Sequence, residues 1–480
     1  MDFWNRPLSE VTICTSNTQS LLGLTDEQGC AQIEVPEGSE IILTLFNRQS
    51  RIVRVNTSRI EVRLSDKDRL FDIGYDERIR KSESTASLSQ AVSEDIQASG
   101  NTTVMNNLYG LIPGLGVYQG SNLPWDNSPS LYVRGQGSFG GNQVLVLVDG
   151  IERDMAQISP KEVESITVLK DAASLALYGN RGADGVVVIT TKRGGDHGLR
   201  SQIDYNFGVQ TPFRIPHMAD GYTYASAVNE ALSNDGLSPR YTMHDMRLIA
   251  GHMHPQLFPD IDWQALILRK VAFTHDVNLT FDGKGQRIRY FVYANYNSNR
   301  GFLNNTEMND GYSTQIGMDA LKVRSNIEAR LTKSTVARIN LMGRLMQYQH
   351  PSAGTNLSGM YDTPAAAFYP LAPQSEGGGW VRSRLCKNPL ADLTSRGYNT
   401  VLQRTLFADL TIDQNLEMIT PGLSAQVRVA YDNSAEITDM RTCDFAYMEV
   451  SSANDEIGNV KELLYTPYGN NRNMEFNSKL

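Results

Sequence analysis

Cysteine is scarce and scattered in this chain. The 480 residues hold four, Cys14, Cys30, Cys386 and Cys443, with no C-x-x-C pair. That excludes the spacing of a zinc site or a disulfide framework. Long apolar runs are missing too, and none reaches the ~18 residues of a membrane-crossing helix. Basic residues do not dominate: 44 Lys and Arg stand against 53 Asp and Glu, for a net charge of −9. Without a basic stripe, nucleic acid is not an expected partner. The opening Met1-Asp2-Phe3-Trp4-Asn5-Arg6-Pro7 lacks the basic, apolar and small-residue regions of a signal peptide.

What is present is strand pattern. Short alternating runs at 10–15, 30–35, 40–46, 52–56 and 60–64 are split by turn chemistry at Asp26-Glu27-Gln28-Gly29 and Pro36-Glu37-Gly38. They predict a small β-sandwich over residues 1–67. Residues 68–92 are rich in charge, Ser and Thr, and read as a flexible linker. One apolar island interrupts it, Leu70-Phe71-Asp72-Ile73-Gly74-Tyr75. Such an island either anchors a loop or offers a strand for edge pairing. Asn101-Thr102-Thr103 predicts the cap of a helix through Val104, Leu108 and Leu111, stopped by Pro113-Gly114.

Three β-branched runs, 130–134, 143–149 and 185–192, read as buried strands of one small mixed sheet. Between the first two lies Gly135-Gln136-Gly137-Ser138-Phe139-Gly140, a G-x-G-x-x-G match. A dinucleotide site needs a helix after those glycines. Here Gln143 to Val148 follows as a strand, so the glycines read as a tight strand connection. Asp149-Gly150 reads as a turn. Ser159-Pro160-Lys161-Glu162 is a capping box with proline at the first helical position. Residues 163–169 alternate, and 172–178 form a short helix ended by Gly179-Asn180-Arg181-Gly182. Arg134 and Arg181 either pair with carboxylates or face a charged lumen.

These residues carry a resemblance. The runs LYVRGQGSFGGNQVLVLVDGIE and SPKEVESITVLKDAASLALYGNRGADGVVVITTKRG resemble the plug domain of TonB-dependent outer-membrane receptors, and in particular the SusC/RagA-like branch. The matching positions include Arg134, Gly135, Asp149, Gly150, Tyr178, Gly179, Arg181 and Gly182. Asn180 and Asp184 depart from the branch's usual Ser and Asn. The resemblance implies a plug over 93–196. It also implies a carboxypeptidase-regulatory-like sandwich over 1–67 and a place for TonB contact at Leu70, Phe71, Asp72, Ile73, Gly74 and Tyr75.

After residue 196 the pattern becomes strictly period two. Ile203, Tyr205, Phe207 and Val209 share one face, as do Ile288, Tyr290, Val292, Ala294 and Tyr296. Similar runs fall at 323–331, 337–345, 406–412 and 423–431. Strands near ten residues suit a tilted crossing of a bilayer. Connections alternate between long (210–272, 298–321, 347–403) and short (282–286, 332–334, 414–422), as in outer-membrane barrels. Gly251-His252-Met253-His254 reads as a polar loop for want of further ligands. Trp263, Trp380 and the loop tyrosines suit either sugar stacking or an interface belt.

The expected fold is mainly β: a small β-sandwich, then an α+β plug, then antiparallel transmembrane β-barrel strands over 197–480. Eight or nine strands are counted where plugged transporters have about 22, so the expectation is the N-terminal portion of a longer receptor, or a split or truncated reading frame. The resemblance implies an outer-membrane nutrient importer, not an enzyme, with no cofactor or metal. Its partners would be TonB, a SusD-like lipoprotein, outer-membrane lipid, and an oligosaccharide or peptide substrate. The alternatives are a non-transporting β-rich surface binding protein and a signalling receptor.

Overall fold

A computed structural model describes the chain except residues 1–6, 17–19, 46–50, 63, 65–69, 76, 81–82, 122, 127, 138–142, 196, 213–214, 310, 355–356, 455–459, 470–474 and 480. It divides into two compact units, residues 1–120 with 128–191, and residues 121–127 with 192–480.

The first unit begins with β1 (Thr12–Thr15), β2 (Leu21–Leu24), β3 (Glu40–Thr44) and β4 (Arg51–Arg54), a sheet in the order β2-β1-β3-β4. Val11, Ile13, Ile41, Leu43 and Leu64 form its core. Among the described residues the expected strands at 30–35 and 60–64 are not strands, and 21–24 is one that the pattern did not show. Ile33, Val35 and Val62 still pack on the core. Their apolar spacing reflects burial without a backbone ladder.

The supposed flexible linker is ordered where described. β5 (Leu70–Gly74) and β6 (Glu77–Arg80) form an antiparallel hairpin, and β7 (Leu88–Val92) is a sheet strand. The expected helix after Asn101 shrinks to a 3-10 turn, Met105–Leu108, which buries Met105 and Leu108. β8 (Leu115–Tyr118) and β9 (Ser130–Val133) pair only with each other among the described residues. The run at 130–134 therefore does not join the other two in one sheet.

That sheet consists of β7 with β10 (Leu145–Val148), β11 (Ile151–Glu152), β12 (Val163–Leu169) and β13 (Val186–Thr191), ordered β11-β10-β13-β12-β7. β10 and β13 run parallel, and every other pair is antiparallel. All six residues of β13 are buried. Val187 and Ile189 face a core with Ile96, Leu108, Val148 and Ile166. Val186 and Val188 face Leu145, Leu147, Leu169 and Tyr178 on the other side. A strand covered on both faces has no polar side to show, which is why 186–189 reads as an unbroken apolar run.

The second unit is built on eight strands: β14 (Arg200–Gln210), β15 (Ala272–Lys284), β16 (Ile288–Arg300), β17 (Gly317–Arg330), β18 (Thr335–Pro351), then after β19 (Trp380–Ser383) the long β20 (Gly397–Asn415) and β21 (Ser424–Thr442), and after β22 (Tyr447–Asn454) and β23 (Val460–Tyr468) a last strand β24 (Glu475–Lys479). The sheet order follows the chain, β14-β15-β16-β17-β18-β20-β21-β24, all antiparallel. Connections alternate long and short as expected, the long ones being 211–271, 301–316, 352–396 and 443–474. The long loops carry their own structure. Helices α1 (Gly221–Asn234) and α2 (Met243–Ala250) lie in the first, capped by Asp220 and by a Thr242–Asp245 box. Strands β19, β22 and β23 make a separate small sheet.

One test of this layout is to truncate the doubly covered strand. Ile189→Ala should cost about 2–5 kcal/mol, the usual range for emptying such a site, read as a shift in the denaturant midpoint of the first unit's transition.

Candidate functional site

In the large sheet the usual distribution of polarity is turned around. Ile203, Tyr205, Phe207, Leu321, Val323, Leu341, Leu406, Val427 and Val429 are exposed. On the opposite face Asp276, Asn278, Tyr293, Lys322, Arg324, Asn326, Asn340 and Asp409 are buried. Register holds the two sets apart. Ile203, Leu279, Ala294, Val323, Gly343 and Leu406 form one cross-strand row of the exposed face. Four further rows of the same kind run through Tyr205, Phe281, Tyr290 and Ile288. At ~6.8 Å for every two residues of strand, five rows cover roughly 27 Å, close to the apolar band of outer-membrane barrels.

Side-chain networks link much of the buried face, although the atoms Arg324 Nη2, Asn326 Oδ1 and Asn340 Oδ1 have no hydrogen-bond partner among the described residues. The Asp276 carboxylate accepts from Asn206, Asn278, Asn295 and Asn297 at 3.3, 2.6, 2.7 and 3.4 Å. Tyr293 donates to Asn278 at 2.6 Å, and Asn340 to Asp409 at 2.6 Å. Arg338 meets Asp413 at 2.6 Å. Amides, which donate and accept, suit a face that carries charge without water on every atom.

The long loops share one apolar core, with Trp263, Ile267, Leu303, Phe368, Val381 and Leu390 at its centre. Trp263 is buried there, edge-on to Phe368 at 5.5 Å, and donates to the Pro364 carbonyl at 3.2 Å. It is neither a sugar platform nor a belt residue, and Trp380 packs against the same core. Trp125, from the short segment that joins the second unit, stacks on Tyr348 at 4.5 Å and 10°. Asn388 caps the helix Pro389–Ser395, and Gly397 opens β20 with φ 89°. His252 pairs with Asp260 at 3.2 Å. No group of three metal-binding side chains occurs among the described residues.

In the first unit the motif positions fall at turns. Asp149 and Gly150, at φ 50° and 84°, link β10 to β11 in a two-residue hairpin. Positive φ at both positions is the geometry that Asp-Gly favours. The Asp149 carboxylate accepts from the Thr191 N–H and hydroxyl at 2.9 and 2.7 Å, so it serves the turn. Arg134 and Gly135, both at positive φ, carry the chain out of β9. Arg181 pairs with Glu152, and both side chains are exposed. Gly179 sits at a kink between Ala176 and Gly182, and Gly182 lies against Tyr178 and Val186. Much of the G-x-G-x-x-G run lies outside the described residues, and β10 follows it.

The apolar island is the most constrained of these parts. The Tyr178 hydroxyl donates to the Ile73 carbonyl, and its ring stacks on Tyr75 at 5.5 Å. Asp72 accepts from Thr190 on β13 at 3.1 Å. Gly74 has φ 89°, and a Cβ there would strike the Tyr178 hydroxyl. Burial, with the nearby Tyr75 and Asp72, pushes the Tyr178 phenol well above its ordinary range. It therefore stays a donor through neutral and mildly alkaline pH. Phe71 is buried, while Leu70 and Tyr75 are exposed. Nearby, the Lys170 ammonium donates to Ser89 at 2.6 Å and to the Pro113 carbonyl at 2.9 Å, and its pKa is lowered, first by burial and then by Arg134.

Comparison with known proteins agrees with this anatomy. Residues 80–186 match the TonB-dependent receptor plug domain. TonB-dependent receptor P26 of Formosa agariphila is 29% identical over 321 residues, covering 64% of this chain and 30% of that protein. TonB-dependent receptor SusC of Bacteroides thetaiotaomicron is 25% identical over 296 residues, covering 58% and 28%. Thus the chain spans less than a third of the length of either relative. Among solved structures, the RagAB peptide importer in its open-open state shares the fold at a TM-score of 0.61 and 19% identity, over 78% of this chain and 43% of that one. Plug, sheet and relatives agree: residues 80–186 match the TonB-dependent receptor plug domain, and the chain is similar in sequence to SusC and in fold to the RagAB importer.

Proposed function

We propose that this chain supplies the plug and leading barrel strands of a TonB-driven nutrient importer in a bacterial outer membrane. The observation that carries the reading is the inverted sheet, apolar where exposed and polar where buried, directly after a plug domain. A sheet facing water on its outer side would place its polar residues there. In lipid the distribution must reverse. By likeness to SusC and RagAB, the substrate is an oligosaccharide or peptide, and a SusD-like lipoprotein is the outer partner.

In this reading residues 1–67 form an accessory carboxypeptidase-regulatory-like module, 68–92 carry the coupling segment, 93–196 the gate, and 197–480 barrel strands. Strand β7 argues for starting the gate a few residues earlier, at Leu88. TonB pairs with the island from Leu70 through Phe71, Asp72, Ile73 and Gly74 to Tyr75. Strand-to-strand pairing uses main-chain bonds and needs no pocket, which suits a pulling partner. Only one edge of β5 is used, by β6, among the described residues.

Three outcomes follow. Deleting Leu70 to Tyr75 should abolish energy-dependent uptake while substrate binding to whole cells persists; uptake at the normal rate would refute the coupling assignment. Val323→Arg, near the middle of the exposed rows, should cost about 2–4 kcal/mol in refolding into bilayers, whereas a chain that keeps this face in water would tolerate it. Tyr178→Phe removes a buried donor from the Ile73 carbonyl, worth about 1–3 kcal/mol. Amide exchange across residues 70–80 should rise accordingly, by roughly five- to 150-fold, without change in β13.

A further inference from the structure

A cavity of about 230 Å³ opens between the third and fourth long loops of the large sheet. It is smaller than the ~300–1,000 Å³ of sites for whole drug-sized ligands, so it suits one terminal group of a longer molecule. Its walls are unusually cationic. Arg382, on β19, lies with its guanidinium 3.8 Å from the centre of the Tyr447 ring. Among the described residues its carboxylate partner is Glu449, distant at 3.7 Å. Its Nε is buried with no hydrogen-bond partner.

The other two cations differ in how far they are neutralised. Arg396 is held by Asp392 at 2.6 Å and reaches Asp444 only at 3.7 Å. Lys387 is exposed at the cavity wall, and among the described residues no carboxylate pairs with it. Three cations thus line the space with two carboxylates, Asp392 and Asp444. Arg382 lines the space, and a carboxylate oxygen is the acceptor that guanidinium geometry fits best.

We propose that this cavity binds the carboxylate of a ligand's terminal unit, with Arg382 and Lys387 as the donors that recognise it. Arg396 positions the wall through Asp392 and does not pair with the ligand. Two sources present this chemistry, the uronate unit of an acidic oligosaccharide and the C-terminal carboxylate of a short peptide. The inference rests on the import reading for where the ligand comes from, but not for the binding itself.

The test is calorimetry on the full chain in detergent, with two matched pairs of probes: trigalacturonate against its methyl ester, and trialanine against its C-terminal amide. The acid of at least one pair should bind about tenfold tighter than its neutral partner, the scale of a charge-assisted hydrogen bond, and the pair that discriminates identifies the source. Lys387→Gln, at an exposed position that packing does not depend on, should remove most of that preference. Arg382→Gln should abolish it, and Arg382→Lys should restore part. Equal binding of acid and neutral members in both pairs, absence of binding, or a preference untouched by Lys387→Gln would overturn the proposal. No transport is measured, so a failed uptake assay and a failed titration point to different errors.

Discussion

Every feature of the second unit depends on an unslipped backbone ladder. From β14 to β21 the partners advance residue for residue with no bulge in the register. Because side chains alternate, one inserted residue would exchange the two faces of everything beyond it. Continuity is therefore what allows Ile203 on the first strand and Val429 on the seventh to share a face. It is also what a bilayer demands, since unpaired N–H and C=O groups there have no water to turn to. The apolar rows and the buried amide network are two results of the same ladder.

The plug solves a different problem. Its sheet is short, mixed and covered on both sides, so stability rests on packing around β13 and not on length. The hairpin of β5 and β6 adds to one cover through Ile73 and Tyr178. Its described attachments are the Tyr178 phenol to the Ile73 carbonyl, Thr190 to the Asp72 carboxylate, Gln90 to the Leu70 carbonyl and the stack of Tyr75 on Tyr178.

How much of this could be read beforehand depended on how local each signal was. The alternation at 288–296 or 323–331 sits within one strand and gave both strand and face. The Asp149-Gly150 turn and the Ser159–Glu162 box were legible for the same reason. Residues 77–92 were not, because Ser, Thr and charge at Glu77–Arg80 and Ser89 look like linker, and only pairing with β12 makes Leu88–Val92 a strand. That β9 would leave the main sheet for β8 has no local mark. The helices of the first long loop did have one, in Asp220 and the Thr242–Asp245 box. The cationic cavity had none. Arg382 and Tyr447 are 65 positions apart in sequence, and nothing in either segment announces the other.

The pairing of β19 with β22 has a consequence for the order of folding. These strands run parallel with Trp380 opposite Tyr447, so 67 residues separate partners. Once β20 and β21 have joined, with Gly397 beside Thr442, the open path between them falls to about 22 residues. Loop-closure entropy grows by about 0.6 kcal/mol per doubling, so the prior hairpin lowers the cost of the small sheet by roughly 1 kcal/mol. The loops that build the cationic cavity are thus favoured to assemble last, on a wall already in place.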